Sequence, residues 1–143
     1  MILIDSNILL YACDSLAPSH ARARAWLEDA VAGDDQIGLP LLSILAFLRL
    51  ATNPSVFKVA LDSAVAIGVI ESWLSRPNVS IVVPSERHWR VLSEVAAAGQ
   101  ARGPQLMDAH LAALAIEHGA TLMTTDRGFA RFPGLRFRNP VAT

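Results

Sequence analysis

The stretch Ile2-Leu3-Ile4 reads as a short strand buried on both faces, and it runs straight into Asp5-Ser6-Asn7. A chain built this way sets a carboxylate at the carboxyl end of a core strand. In open parallel α/β sheets that edge holds the ligand crevice, because the strand-to-helix loops line it. Asp5, Ser6 and Asn7 are also preferred helix N-caps, so this stretch alone supports a cap and a site equally.

The remaining pattern tells what kind of sheet receives the strand. Helices are expected over residues 8–13, 20–32, 41–51, 59–74, 85–98 and 106–118, with Gly119 as a C-cap. Between them lie short β-branched or apolar runs at 37–39, 79–83, 120–124 and 135–138. Strands alternating with helices argue for an α/β fold, a three-layer α/β/α sandwich around a central, mostly parallel sheet. A length of 143 residues suits one domain spanning the chain.

Several function classes drop out on composition. The single Cys13 forms no internal disulfide and fits a reducing cytoplasm, no segment approaches a membrane span, and the N-terminus lacks a signal peptide. The net charge of −1 gives no global basic field for nucleic acid. The charge is uneven, however, because Arg127, Arg131, Arg136 and Arg138 follow Asp126 with no further acid. With 52% hydrophobic residues and a mean hydropathy of +0.38, some apolar surface is expected to meet a partner.

Two more acids stand where acids are unusual. Ala120-Thr121-Leu122-Met123 delivers Thr124, Thr125 and Asp126 into a turn, which repeats the Asp5 arrangement. Asp108 shares a helical arc with Leu111, Ala112 and Ala115, so it faces the core unless it caps the helix. Ser43, Ala46, Arg49, Leu50 and Asn53 form a further stripe at spacings of three and four, which carries polar groups inward or towards a cleft. Two carboxylates about 4 Å apart at an effective dielectric of about 20 repel by roughly 4 kcal/mol. Three such pairs would approach the roughly 5–15 kcal/mol that holds a domain folded. Convergence of the acids therefore requires protonation or a cation. A ligand set of oxygens, with His20, His110 and His118 scattered on exposed-looking positions and His88 placed for packing, selects Mg²⁺, or Mn²⁺ as its substitute, over Zn²⁺. Such a site suits phosphodiester hydrolysis.

Residues 2–7, Phe47-Leu48-Arg49-Leu50-Ala51-Thr52-Asn53-Pro54, the run 108–115 and Thr124-Thr125-Asp126-Arg127-Gly128-Phe129 together resemble the PIN domain, and in particular VapC toxins of bacterial toxin–antitoxin modules. The resemblance implies a Mg²⁺-dependent endoribonuclease of the cytoplasm that acts on RNA, such as transfer RNA at a single-stranded loop. It also implies silencing by a VapB-type antitoxin and a homodimer, with the helices around Trp26 and from Val59 to Trp73 as contact surfaces. Asp5, Asp108 and Asp126 match the family's first, third and fourth metal-binding, catalytic acids. Ser6, Asn7, Ser43 and Thr125 would support them, and Arg49, Asn53, Arg127 and Arg131 would steer the RNA. Two positions depart from the pattern: Ala46 stands where the family carries a glutamate, and Gly128 where a further acid is frequent. The alternative implied by Ala46 is a weakened PIN-like module that binds RNA or protein without cutting.

Overall fold

A computed structural model describes residues 1–142. The strands β1 (Ile2–Ile4), β2 (Ile37–Pro40), β3 (Val79–Val82), β4 (Thr121–Met123) and β5 (Phe137–Arg138) form one sheet in the order β3-β2-β1-β4-β5, and every pairing is parallel. β1 is central. Leu3 points into the core on one face and Ile4 into the core on the other, both wholly buried, which is why the opening tripeptide is apolar throughout. Gly38 on β2 is a close-approach position: a Cβ there would lie 2.4 Å from Leu3 and 2.5 Å from Val82.

Helices cover both faces, giving three α/β/α layers. Around the Ile4 side pack α1 (Ser6–Cys13), α2 (His20–Ala32), α3 (Leu41–Ala51) and α4 (Ser63–Leu74), and around the Leu3 side pack α5 (His88–Ala98) and α6 (Gln105–Glu117). The chain lays down β1, β2 and β3 towards one edge, then crosses over β1 through α5 and α6 to add β4 and β5. The crevice between the carboxyl ends of β1 and β4 is therefore the switch point of the sheet, where α/β folds take ligands.

The element boundaries differ from the sequence expectation where side chains compete for the backbone. Helix α1 starts at Ser6, since Asp5 caps it. The stretch from Val59 to Asp62 is not helical: Asn53 opens a turn by accepting from the Ser55 amide, Phe57 is buried beneath it, and α4 starts only after Asp62. Helix α5 begins at His88 instead of Ser85, because Ser85 is held in a turn by the buried Glu117 carboxylate and by the Arg87 amide. Gly119 does end α6, with φ of 64° and the Ala120 amide donating back to Ala115. β5 keeps only the last two residues of the expected run.

The histidines are less exposed than the sequence suggested. His88 links Glu117 (2.8 Å) to His110 (2.9 Å) across the α5–α6 pair, and His20 bonds the Tyr11 carbonyl. The Glu117 side chain is completely buried, and this polar chain ties α5 to α6, the helix that carries Asp108 at the sheet edge. Trp26 and Trp73 are half-buried against the core, with Trp73 edge-on to Phe47 at 5.8 Å. Trp89 is the exposed tryptophan, at 77%. Among the described residues no helix is long and apolar enough to cross a membrane.

Candidate active site

Asp5 enters the site at the first residue after β1. Its amide is still held by the Met123 carbonyl of β4, and its side chain caps α1 by accepting from the Ser6 amide at 2.7 Å. Cap and site are thus the same carboxylate: Oδ1 serves the helix while Oδ2 faces Thr124 and Asn7. The Thr124 hydroxyl donates to Oδ2 at 2.7 Å and the Asn7 amide donates to it at 3.3 Å. Thr124 also accepts from the Asn7 side chain and from the Asp126 amide, which makes its hydroxyl the hub joining the ends of β1 and β4. Sequence reasoning chose Thr125 for the supporting role and missed Thr124. Thr125 contributes its backbone amide to Asn7 at 3.4 Å. The missed signal was register: once Ile4 pairs with Met123, the residues next in line are Asp5 and Thr124.

Asp108 lies on the first turn of α6. Helix α6 runs back towards the start of β4, so its N-terminus stands at the carboxyl edge of the sheet, and Asp108 does not cap it. Asp5, Ser6, Ser43, Ala46, Arg49 and Asp108 line one cleft of about 270 Å³, walled on its apolar side by Leu42, Met107 and Leu111. Ser43 belongs to the first turn of α3, which starts where β2 ends. Its hydroxyl is buried and has no hydrogen-bond partner among the described residues.

The other expected residues are distributed around this cleft. Asp126 caps the short 3-10 helix Arg127–Arg131 through the Gly128 amide at 2.7 Å and, with Thr125 and Arg127, lines an adjoining cleft. Arg131 donates to the Gly99 carbonyl and to Gln105, the first residue of α6. Asn53 lies outside the lining of this cleft: it is exposed, and its side chain accepts from the Ser55 amide in a turn.

The electrostatics follow from this arrangement. Burial raises the Asp5 carboxyl above its ordinary value and the negative charge of Asp126 adds to the rise, against the hydrogen bonds from Thr124 and Ser6 that oppose it. Asp108 is raised by burial first, then by Asp126 and Asp5, while Arg131 opposes the shift. Three acids that sense one another across a shelf of hydroxyls favour positive charge between them. Among the described residues no three carboxylate, imidazole or thiol groups are gathered tightly enough to enclose an ion unaided. Two carboxylates, an orphaned serine hydroxyl and room for water nevertheless form an all-oxygen donor set, and that set fits a hard divalent cation.

The shifts give a signed prediction. An acid whose folded pKa is raised binds more protons folded than unfolded, so its contribution to stability falls as pH rises from about 4, the ordinary carboxylate range, and the deficit persists at neutral pH. A divalent cation held by the ionised pair offsets that deficit. Adding Mg²⁺ or Mn²⁺ is expected to raise the melting temperature at about pH 7.5, and the increment should vanish at about pH 4, where the acids bind protons instead. A scan in which neither ion moves the melting temperature at either pH would remove the cation from the site.

The PIN domain family model matches residues 2–135. Ribonuclease VapC37 of Mycobacterium tuberculosis is 37% identical over 142 residues, 99% of each chain. Ribonuclease VapC43 of the same species is 38% identical over 141 residues, covering 99% of this chain and 96% of the relative. Among solved structures, VapBC2 from Rickettsia felis bound to a DNA fragment from its promoter superposes with a TM-score of 0.71 at 21% identity, over 97% of this chain and 98% of that one. At that identity the structure speaks for the fold alone.

Proposed function

Because the chain belongs to the PIN-domain family, in its VapC branch, we propose that it is a Mg²⁺-dependent endoribonuclease and the toxin of a toxin–antitoxin pair. One observation carries the reading: Asp5 and Asp108, delivered by a core strand and by a helix start, face the same cleft at the switch point of the sheet. Asp5, Asp108 and the Ser43 hydroxyl would hold the ion, with Asp126 adding its charge from the adjoining cleft. When bound, the ion supplies positive charge to the phosphoryl oxygens and makes water a stronger nucleophile. Thr124 and Asn7 fix the Oδ2 of Asp5, while Ser6 fixes Oδ1 through its amide, so the carboxylate is oriented before substrate arrives. Arg49 at the cleft wall meets the phosphate backbone of the RNA, and transfer RNA is the first substrate to test.

The partners proposed are a VapB-type antitoxin and a second copy of the chain. Leu41 and Leu45 on α3 and Val65 and Ile67 on α4 are exposed, and a cleft of about 280 Å³ lies between Leu48, Thr52 and Ile67. An amphipathic antitoxin helix laid along that groove would cover them.

The test is incubation of total bacterial RNA with antitoxin-free protein, with Mg²⁺ and with chelator, beside Asp108→Asn. Discrete fragments that need Mg²⁺ and are absent with the variant are expected. Intact RNA from folded, Mg²⁺-loaded protein would favour instead a PIN-like module that binds without cutting, the reading for which the apolar Ala46 wall speaks.

A further inference from the structure

A second cleft, of about 400 Å³, opens beyond Asp126 and is lined by Tyr11, Ser19, Arg22, Thr125, Arg127 and Asn139. It is polar where the acid cleft is largely apolar, and its formal charges are both positive. Thr125, Arg127 and Asn139 also line the smaller cleft that holds Asp126 and Thr124. The two clefts therefore meet as one trough, which sets Asp126 beside Arg127 and has at its near end the buried Thr124, the residue bonded to Asp5. The side chains are positioned by the fold. Arg22 is anchored at one corner by donating to the Val141 carbonyl, and the Asn139 side chain accepts from the Val141 amide, which draws the C-terminal tail across the far wall. Arg127 stands exposed at the first position of the 3-10 helix, next to the acid that caps it.

Of the four arginines that follow Asp126, one, Arg127, lines this trough. Arg131 and Arg136 are engaged by backbone carbonyls of Gly99 and Gly119, whereas Arg127 projects into the trough. A volume of about 400 Å³ lies within the roughly 300–1,000 Å³ typical of small-ligand sites, so it has room for a nucleotide. Two guanidiniums match a phosphodiester, and a tyrosine ring is a surface on which an unpaired base stacks. The position of the trough favours a strand of RNA over a separate small anion, because it holds Asp126, whose charge reaches Asp5 and Asp108, and ends against Thr124, which bonds Asp5.

The geometry points to a subsite for single-stranded RNA in this trough: Arg22 and Arg127 clamp a phosphate that flanks the one positioned between Asp5 and Asp108, and Tyr11 supports its base. This rests on the ribonuclease reading above, and its role is to hold the strand in register across the acid cleft. Arg127 and Arg22 act on binding, through groups that the acids do not share.

The experiment is fluorescence anisotropy with a labelled single-stranded oligoribonucleotide in chelator, where no cutting occurs, at a series of salt concentrations. The proteins are the wild type, Arg127→Ala, Arg22→Gln, which keeps a donor for the Val141 carbonyl, and Arg136→Ala as the control. Each trough variant is expected to bind several-fold more weakly at equal melting temperature and to lower the salt slope of log K by about 0.7, the value for one phosphate contact on a single strand. Arg136→Ala should match the wild type. Wild-type affinity and slope in both trough variants would overturn the subsite while leaving the ribonuclease reading intact. Failure of the wild type itself to bind RNA would overturn the subsite, and the ribonuclease reading would then stand or fall on the cleavage assay with Mg²⁺.

Discussion

Asp5→Asn is expected to abolish RNA cleavage while leaving the folded protein at least as stable as the wild type. The two effects share one cause. The Asp5 carboxylate is 8% exposed, and burial disfavours its charge. Removing the charge relieves that penalty and the repulsion from Asp126. The local bonds largely survive once the Asn7 side chain turns over: the asparagine carbonyl can still accept from the Ser6 amide and cap α1, the Asn7 oxygen can accept from the new amide, and the Thr124 hydroxyl, released from the Asn7 donor, can reverse to accept from it too, at the expense of the long Thr125 amide bond to Asn7. The proposed ion, however, loses its most firmly oriented ligand. Outer groups that merely orient a ligand are worth about 10–100-fold in metal affinity or activity, so loss of the ligand itself should exceed about 100-fold. Cleavage assays beside thermal melts in chelator decide it. Retained cleavage at saturating Mg²⁺ would refute the role of Asp5. A melting temperature several degrees lower would show that its charge is structural. In the cell the same substitution should remove growth inhibition.

How far this site was legible beforehand varies by residue, for physical reasons. Asp5 and Asp126 were readable because a short apolar run followed by an acid fixes the end of a strand without any knowledge of its neighbours. Asp108 was readable from helical periodicity, since an acid in an arc of Leu111, Ala112 and Ala115 is out of place on a surface. Ser43 followed from the same periodicity, and its orphaned hydroxyl bears out an inward-facing stripe, but Asn53 on that stripe was misplaced because α3 ends at Ala51 and the side chain turns to its own loop. Thr124 was not readable as the hub, because its role depends on β4 pairing with β1 over a separation of 119 residues. The second cleft was invisible for the same reason. Tyr11, Arg22, Arg127 and Asn139 come from four separate parts of the chain, and only the strand order brings them together.

Ala46→Glu is expected to turn the apolar wall of the acid cleft into a third carboxylate ligand, with opposite effects on the protein in the presence and absence of a cation. Ala46 lies on the inner side of α3, one turn beyond the orphaned Ser43, and lines the cleft with Asp5 and Asp108. A carboxylate there, at about 5 Å from each acid and an effective dielectric of about 20, would add roughly 3 kcal/mol of repulsion per pair before relaxation and screening. In chelator the variant should therefore melt below the wild type, and its acids should resist ionisation further. With Mg²⁺ or Mn²⁺ the same charges converge on the ion. The concentration that half-saturates the melting shift should fall about tenfold, equivalent to about 1.4 kcal/mol. Cleavage at limiting Mg²⁺ should rise accordingly. Arg49, three residues along α3 and on the same wall, is the competitor, because it could pair with the new carboxylate and cancel its charge. Measuring the substitution with and without Arg49→Gln separates the two. An unchanged half-saturating concentration in both backgrounds, with the protein folded, would mean that the ion does not reach the α3 wall and that Asp5 and Asp108 hold it from the other side alone. A gain seen only when Arg49 is replaced would show that the arginine, which lines the same wall, neutralises the new carboxylate in the wild-type background.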